Sequence, residues 1–456
     1  MKSHLFILIL IFSLLEIKSD DKLIFVMTHF RHGSRAPSKY YDEKNYLDYV
    51  KQYWKDSSEL TAIGQRMHFL LGIRNRQRYI ENKKFLSEKY DPREILIYST
   101  YKNRTIDSVN SQIQGLYPPY LNVGQTLTAE QENVAVPPCN VNYDNINENL
   151  RKSLEGNALP NSMTVIPIRT ITINDRKMRL YHLGVCENKT KAYQKENEKL
   201  ESIVNIQKTF REKYSTNLNA FYGKNETYNL KFIYNFCDSF ICDYTEKREM
   251  TELYNSGIDF EEMKSFCYNL SSLYFRDYEL GDQNGEMAKL EVSPLMEEFI
   301  HYMKQRIDAD IKGENISAKY EDYSRPKILM VSGHDSTVAS LEIFLMHALG
   351  KDLSFYEYPD FASQAALEVT TNDDNKSGKT YNDYFVNYYL NDDIKFNLTV
   401  QEFLDKISPN VWNENKINAY CEVNKSSEEV FIQVNGDKIL INKKLRIFAL
   451  FLFLLL

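Results

Sequence analysis

The chain has 456 residues, 43 % of them hydrophobic, which is enough for a substantial core in one or two domains. This composition excludes a disordered chain and a small scaffold held together by disulfides. The formal net charge is −7, and the sequence contains no long basic run and no basic-aromatic stripe. The charge pattern therefore argues against a nucleic-acid partner.

The N-terminus has the layout of a secretory signal peptide. Lys2 precedes an apolar run over residues 5–15, and a polar stretch then ends at Ser19 and Asp20. The apolar run is shorter than the roughly 20 residues that a membrane span needs, which disfavours the alternative of a retained anchor. We expect residues 1–19 to be removed.

The C-terminus resembles a signal for attachment of a glycolipid anchor. Three small residues, Asn435 to Asp437, precede a polar spacer over residues 438–446 and an apolar tail over residues 447–456. We expect residues 436–456 to form this signal, whose tail is removed. A short hydrophobic tail that stays on the chain is the alternative.

Sequons and cysteines also fit passage through the secretory pathway. Eight Asn-x-Ser/Thr sequons begin at Asn103, Asn188, Asn225, Asn269, Asn315, Asn375, Asn397 and Asn424. Six cysteines stand at positions 139, 186, 237, 242, 267 and 421, and spacing alone leaves their disulfide pairing open. We therefore expect the protein to be secreted, lysosomal or anchored on the outer cell surface.

Three segments combine a buried strand with a polar turn at its end. The strands are predicted over residues 23–30, 94–99 and 327–332, and they run towards Arg31–Pro37, Arg104 and Gly333–Thr337. Such strands, alternating with helical patterns, predict an α/β fold with a mainly parallel sheet sandwiched by helices. Ligands bind at the carboxyl ends of the strands in these folds, so we expect the three turns to share one cleft.

The middle of the chain has a different composition. Residues 136–315 are polar and rich in asparagine, with helical patterns over residues 198–213 and 286–306. We predict that this stretch is a mostly helical cap, inserted into an α/β domain formed by residues 20–135 and 316–435.

The predicted cleft contains a nucleophile and an acid. Phosphoryl transfer requires an in-line nucleophile, cations around the phosphate oxygens and a proton for the leaving alcohol. A neutral imidazole at His32 is a competent nucleophile, and Asp335 can donate the proton if its carboxyl group is protonated. His334 would then be a further phosphate donor.

Three arginines supply the cations. Arg31, Arg35 and Arg104 present planar guanidinium groups that match the geometry of phosphate oxygens. Each predicted site residue also has an ordinary structural alternative, such as helix capping for Asp335 or a surface position for Arg104. Taken together, the three turns favour phosphate chemistry over a chance arrangement.

These motifs resemble those of the histidine acid phosphatases. Arg31–Pro37 matches their Arg-His-Gly-x-Arg-x-Pro signature, and Ser332–Thr337 resembles their second His-Asp motif. Leu60–Gly64 is similar to their Leu-Thr-x-x-Gly segment, and Tyr98–Thr100 followed by Arg104 resembles their third phosphate-binding arginine site. The resemblance extends from about residue 23 to 120 and from 326 to 369.

The resemblance implies a role for each site residue. The implied nucleophile is His32, the implied proton donor is Asp335, and the implied phosphate contacts are Arg31, Arg35, Arg104 and His334. It implies neither a metal nor another cofactor, and the sequence has no Cys-x-x-Cys pair or histidine cluster with the spacing of metal ligands. The expected partners are phosphate monoester substrates.

The resemblance is incomplete outside these motifs. The predicted cap matches only weakly, and Gln364 stands where animal members have a disulfide cysteine. Cys186 with Cys421 is the disulfide that the resemblance favours. A glycan on Asn103 would obstruct the neighbouring Arg104, so we predict that this sequon is unused.

The leading hypothesis is an acid phosphatase that forms a phosphohistidine on His32. The first alternative is a phytase or inositol polyphosphate phosphatase, which needs a wide basic pocket, but the lysines over residues 39–55 alternate with acidic residues and Ala36 follows the second arginine of the signature. Mutase chemistry fits poorly with a signal peptide. A catalytically inactive, glycosylated surface protein is the alternative from a different class.

Overall fold

The protein is described here from a computed structural model. The structure describes residues 21–38, 54, 58–121, 124–135, 149, 153–154, 156–171, 186–223, 227–248, 250, 253, 255–281, 284–314, 325–354, 356–372, 378–421, 430–434 and 437–441. The predicted signal peptide lies outside these residues, as does most of the predicted anchor signal.

The secondary structure alternates between strands and helices around the described chain. The strands are β1 (Lys22–Arg31), β2 (Ile95–Thr100), β3 (Arg169–Ile171), β4 (Ile328–Gly333), β5 (Gln364–Thr371), β6 (Tyr384–Leu390), β7 (Asp393–Thr399), β8 (Val430–Val434) and β9 (Asp437–Ile441). The helices are α1 (Ala62–Arg76), α2 (Asn103–Leu116), α3 (Ala129–Val134), α4 (Glu187–Asn197), α5 (Glu201–Tyr222), α6 (Leu230–Thr245), α7 (Phe260–Leu280), α8 (Glu286–Lys312), α9 (Asp335–Ala348), α10 (Val400–Ile407) and α11 (Glu414–Tyr420). The three predicted strands are confirmed as β1, β2 and β4, each within one residue of its predicted ends.

A seven-stranded sheet organises the fold. Its strand order is β3-β2-β4-β1-β5-β6-β7, and the first four of these strands are parallel to one another. From β5 onward each strand is antiparallel to its neighbour. The predicted fold class, α/β with a mainly parallel sheet between helices, is confirmed, while the antiparallel edge was not predicted.

Both faces of the sheet are covered, as continuous apolar strands require. On one face, Met27 and Val331 belong to a core cluster with Phe299 of α8 and Phe344 of α9. On the other face, Val26 of β1 belongs to a core cluster with side chains of α1 and α2. Complete burial of each large apolar side chain contributes about 1.5–3 kcal/mol, so the sheet is fixed mainly by these two layers.

The cap region has a core of its own. Helices α5, α6 and α7 enclose buried side chains such as Phe210, Phe236 and Phe266. A disulfide between Cys237 and Cys267 joins α6 to α7. Helix α8, by contrast, packs against the sheet, although our predicted insertion extends to residue 315. The exact domain boundaries remain a prediction.

A second disulfide, between Cys186 and Cys421, joins the start of α4 to the end of α11. This is the pair that the family resemblance favoured. Gln364, at the position where animal members have a cysteine, is buried and bonds through its side chain to Asn75, with 3.0 Å between Asn75 Nδ2 and Gln364 Oε1. A polar contact therefore replaces a disulfide at this point.

The signature turn after β1 is held by the segment that enters α1. The amide of Thr61 donates to the Ser34 carbonyl at 3.0 Å, and the Thr61 hydroxyl accepts from the amide of Gly64 and caps the helix. A Cβ atom at Gly64 would lie 2.2 Å from the Ser34 oxygen. The Leu-Thr-x-x-Gly spacing therefore provides a cap and a close approach beneath the turn.

This close approach leads to a stability prediction. We expect Gly64→Ala to lower the free energy of unfolding by about 1–3 kcal/mol, because the added methyl group has to displace the signature turn. Urea denaturation would measure this change, with Ile63→Ala on the exposed side of the same helix as the control. Equal midpoints for Gly64→Ala and the wild type would contradict this account.

Candidate active site

The carboxyl ends of β1, β2 and β4 open into one cavity of about 200 Å³. All six residues predicted from the sequence line this cavity: Arg31, His32, Arg35, Arg104, His334 and Asp335. The parallel register explains this, because Arg31 at the end of β1 is paired with Gly333 at the end of β4. Residues far apart in the chain are therefore brought to one edge of the sheet.

His32 lines the cavity, and one of its ring nitrogens is engaged by a backbone carbonyl. Its Nδ1 lies 2.9 Å from the carbonyl oxygen of Gly33, which can only accept, so Nδ1 carries the proton and Nε2 retains its lone pair. Burial and the nearby charges of Arg104 and Arg35 hold the pKa of His32 well below its ordinary value. The imidazole therefore stays neutral, and able to act as a nucleophile, in acidic solution.

Arg31 is fixed by groups on several sides. Its Nη1 donates to the carbonyl oxygen of Pro359 at 2.8 Å, and its Nη2 lies 3.2 Å from Asp335 Oδ2. The guanidinium group also lies over the rings of Tyr358 and Phe361, at 5.0 and 4.2 Å from their centroids. The arginine is thus buried in a defined orientation before any ligand binds.

Arg35 is paired with a carboxylate from the cap. Its Nη2 donates to Asp238 Oδ1 at 2.6 Å, and the other carboxylate oxygen accepts from the amide and the hydroxyl of Ser38 at 3.0 Å each. Burial alone would lower the pKa of Arg35, but the charge of Asp238 raises it above its ordinary value. Helix α6 thereby contributes a residue that orients a cation of the site.

Arg104 and His334 lie side by side on the third wall. The Nη2 atom of Arg104 is 3.4 Å from Nδ1 of His334, and its Nη1 donates to the Ser58 hydroxyl at 3.0 Å. The other ring nitrogen of His334 is 3.0 Å from the hydroxyl oxygen of Thr100. The rings of His334 and His32 meet edge to face, with their centroids 5.6 Å apart.

Asp335 begins helix α9 and faces the same cavity. Its Oδ1 accepts from the amide of Ser336 at 2.8 Å, while Oδ2 accepts from the hydroxyl group of Tyr358 and pairs with Arg31. Burial alone would raise the pKa of Asp335, but Arg31 and the Tyr358 hydroxyl outweigh that effect and hold the pKa below its usual range. These interactions therefore favour the carboxylate form of Asp335.

The arrangement favours an anion with several oxygens. Three guanidinium groups face two carboxylates, and the buried Nε atoms of Arg31 and Arg35 have no hydrogen-bond partner among the described residues. A tetrahedral oxyanion would supply acceptors to these donors. In the described part of the chain, no group of three or more His, Cys, Asp or Glu side chains is placed to hold a metal ion.

The sequence reasoning did not identify the residues that form the outer part of the cavity. These are Tyr234, Asp238, Ile241 and the Cys237–Cys267 disulfide from α6 and α7, together with Tyr268, Ser271, Tyr358 and Phe361. They lie in segments with no motif that we recognised, and their positions depend on how the cap packs over the sheet. One segment gave a sequence signal for the site, because the stretch that begins at Tyr358 resembles a segment near the site in animal histidine acid phosphatases.

Comparison with known proteins agrees with this geometry. The family profile described as histidine phosphatase superfamily (branch 2) matches residues 22–391. Lysosomal acid phosphatase from Xenopus laevis is 35 % identical over 114 residues, which cover 25 % of each chain. Lysosomal acid phosphatase from Homo sapiens is 24 % identical over 335 residues, which cover 71 % of this chain and 63 % of the human protein. The chain thus spans between a quarter and about two thirds of the length of these curated relatives.

A solved structure supports the fold. The apo form of phytase from Hafnia alvei matches with a TM-score of 0.51 and 13 % sequence identity, covering 87 % of this chain and 98 % of the phytase. At this level of identity the likeness concerns the architecture of the sheet and its helices.

The anion site leads to a binding prediction. Inorganic phosphate should stabilise the protein against thermal unfolding, by about 2.7 kcal/mol at a hundredfold excess over its Kd. Arg104→Ala should weaken phosphate binding roughly tenfold or more, because it removes a charge-assisted hydrogen bond. Lys102→Ala, which removes a nearby cation that does not line the cavity, is the matched control. Identical phosphate titrations for wild type and Arg104→Ala would rule out this role.

Proposed function

The chain belongs to the histidine phosphatase superfamily (branch 2), and from that premise we propose that it is an acid phosphatase acting on phosphate monoesters. The observation that carries the proposal is the state of His32. Its neutral ring, with the lone pair on Nε2, lines a cavity bordered by the guanidinium groups of Arg31, Arg35 and Arg104. A nucleophile that stays unprotonated in acid, beside three cations, suits attack on a phosphate ester.

In the proposed first step, His32 is the nucleophile. Nε2 attacks phosphorus, an N–P bond forms, and the bond from phosphorus to the leaving oxygen breaks. The three arginines and His334 hold the nonbridging oxygens and balance their charge. The proton stays on Nδ1, which donates it in a hydrogen bond to the Gly33 carbonyl oxygen, and this bond stabilises the ring as it gains positive charge.

Asp335 exchanges the proton in both proposed steps. It gives its proton to the leaving oxygen in the first step, and its carboxylate then accepts a proton from the water that attacks the phosphohistidine. The second step breaks the N–P bond and releases phosphate. The neighbours of Asp335 favour its ionised form, but the first step requires its protonated form. Acidic solution and the negative charge of the bound ester both favour protonation.

The cavity favours simple monoesters over polyphosphorylated substrates. Among its described lining residues, the permanent cations are the three arginines already assigned to one phosphate group. The other described lining residues include the aromatic rings of Tyr234 and Tyr268 and the carboxylate of Asp238, none of which is a cation. A phytate molecule would need further cations, and the four lysines over residues 39–55 lie outside the described residues. The alternative of an inactive surface protein has less support, because all six motif residues line one cavity.

Activity measurements test this proposal. We measure hydrolysis of 4-nitrophenyl phosphate from pH 3 to 8 and expect the wild-type activity to peak in acid. His32→Ala should have almost no activity. Asp335→Ala should be slower by roughly 10²–10⁴-fold on substrates with poor leaving groups, since it lacks the proton donor. Asp393→Ala, at an exposed position on β7, is the control.

Two outcomes of that experiment separate the alternatives. Faster hydrolysis of phytate than of the aryl ester would favour the phytase, and a folded but inert wild type would favour the inactive surface protein. Trapping of acid-labile, alkali-stable phosphate on the wild type and its absence from His32→Ala would identify the intermediate.

We also propose that the protein follows the secretory pathway and is attached to the outer membrane face by a glycolipid. The lysosomal relatives, the disulfides and the signal-like N-terminal sequence support the pathway. No helix in the described part of the chain has the length and apolarity of a membrane span. Glycosylation of the sequons remains a prediction. For Asn103, whose exposed side chain lies beside Arg104, the prediction is that no glycan is attached.

The anchor has a direct test. Treatment of intact cells with phosphatidylinositol-specific phospholipase should release phosphatase activity into the medium, because the phospholipase cuts the lipid part of the anchor from the protein. Replacement of residues 436–456 by a stop codon should give the same soluble activity without treatment. Enzyme that stays on the membrane after phospholipase treatment would count against this anchor.

A further inference from the structure

The hydroxyl group of Tyr358 is directed at the carboxylate of Asp335. It donates to Oδ2, the oxygen that also pairs with Arg31, while Oδ1 accepts from the backbone of Ser336. In the part of the chain that the structure describes, Tyr358 is the one neutral side chain with a hydrogen bond to this carboxylate. No motif in the sequence assigned a role to this tyrosine.

The ring of Tyr358 is fixed independently of that hydrogen bond. It stacks on Phe275 of α7, with centroids 5.6 Å apart and an interplanar angle of 20°. The backbone amide of Tyr358 donates to the Ser272 hydroxyl at 2.9 Å, and the guanidinium group of Arg31 lies over the ring. Packing thus places the hydroxyl group at the carboxylate without adjustment by Asp335.

We propose that Tyr358 is a positioning residue for Asp335, which holds the carboxyl group towards the leaving oxygen and stabilises its anionic form after the proton has been given up. This inference rests on the proposed phosphatase function. Arg31 cannot do the same work alone, because a bound phosphate competes for its donors. The hydroxyl group of Tyr358 donates to the carboxylate. Because it is neutral, a bound phosphate attracts it less strongly than it attracts a guanidinium group.

The direction of the pH effect follows from the groups around Asp335. The cations that face it are Arg31 and Arg35, and the other titratable neighbours are His334, Tyr234, Tyr356 and Tyr358. The hydrogen bond from Tyr358 is among the interactions that lower the pKa of Asp335. Loss of that bond should raise this pKa, so that the protonated acid persists to higher pH.

The experiment compares Tyr358→Phe with Tyr356→Phe. Phenylalanine keeps the ring that packs on Phe275 and removes only the hydroxyl group. Tyr356 is the matched control, because its hydroxyl is buried in the same segment without a hydrogen-bond partner among the described residues. For both variants, kcat and kcat/KM are measured from pH 3 to 8 with 4-nitrophenyl phosphate and with an alkyl phosphate. The pH profile that is compared is that of kcat, because it reports ionisation in the substrate-bound enzyme.

We expect the alkaline limb of the Tyr358→Phe profile to move up by about one pH unit, the size of shift that loss of one charge-assisted hydrogen bond produces. The alkyl phosphate, whose leaving oxygen needs the proton more, should be slowed roughly tenfold relative to the nitrophenyl ester. Tyr356→Phe should match the wild type in both measurements. In an Asp335→Ala background, Tyr358→Phe should have no further effect, since the group it positions is absent.

The outcomes separate this inference from the proposed function. An active wild type with an unchanged pH profile for Tyr358→Phe would overturn the positioning role and leave the phosphatase in place. Equal slowing of both esters without a pH shift, or additive losses with Asp335→Ala, would assign Tyr358 to packing alone. A folded but inert wild type would remove the proposed function and this inference with it.

Discussion

The burial of three guanidinium groups around one imidazole is the constraint on which the site depends. Like charges in a low-dielectric interior repel strongly, and the chain balances them with Asp335 from the sheet and Asp238 from the cap. The same positive field keeps His32 neutral, so the charge that binds an anion also preserves the nucleophile. Stability and chemistry are thus coupled in this cavity. The two carboxylates reduce the repulsion among the buried arginines, and the same negative charge lowers the affinity for an anionic ligand.

The sheet and the inner half of the site could be predicted because both depend on local sequence. Continuous apolar runs identify β1, β2 and β4, and a polar turn after each run places its side chains at the carboxyl edge. The Leu-Thr-x-x-Gly segment is only partly local, since the threonine cap is set within four residues whereas the glycine contact depends on Ser34 of the signature turn. The resemblance supplied the pairing of Cys186 with Cys421, which spacing alone left open.

The outer half of the site could not be predicted because it is a product of tertiary packing. Asp238 and Tyr358 are ordinary residues in their own segments, and their roles arise only when α6 and α7 pack over the turn after β1. The antiparallel strands β5 to β7 were missed for a related reason, since β6 and β7 carry mixed polar and apolar residues that do not distinguish a sheet edge from a loop. Ionisation of Asp335 also depends on these distant partners.

The order of the strands has a consequence for how the protein is made. β1 leads into the signature turn and is made before the other strands that the structure describes, yet it lies in the middle of the sheet, between β4 and β5. Both neighbours are encoded far downstream, so a long, mainly apolar strand has to remain unpaired while helices α5 to α7 are synthesised. Helices α5 to α7 contain their own core and the Cys237–Cys267 bond, and they can form during that interval. The core of these three helices can therefore assemble before the site is complete, and the growing chain cannot engage phosphate through all six residues until β4 and the start of α9 have been made.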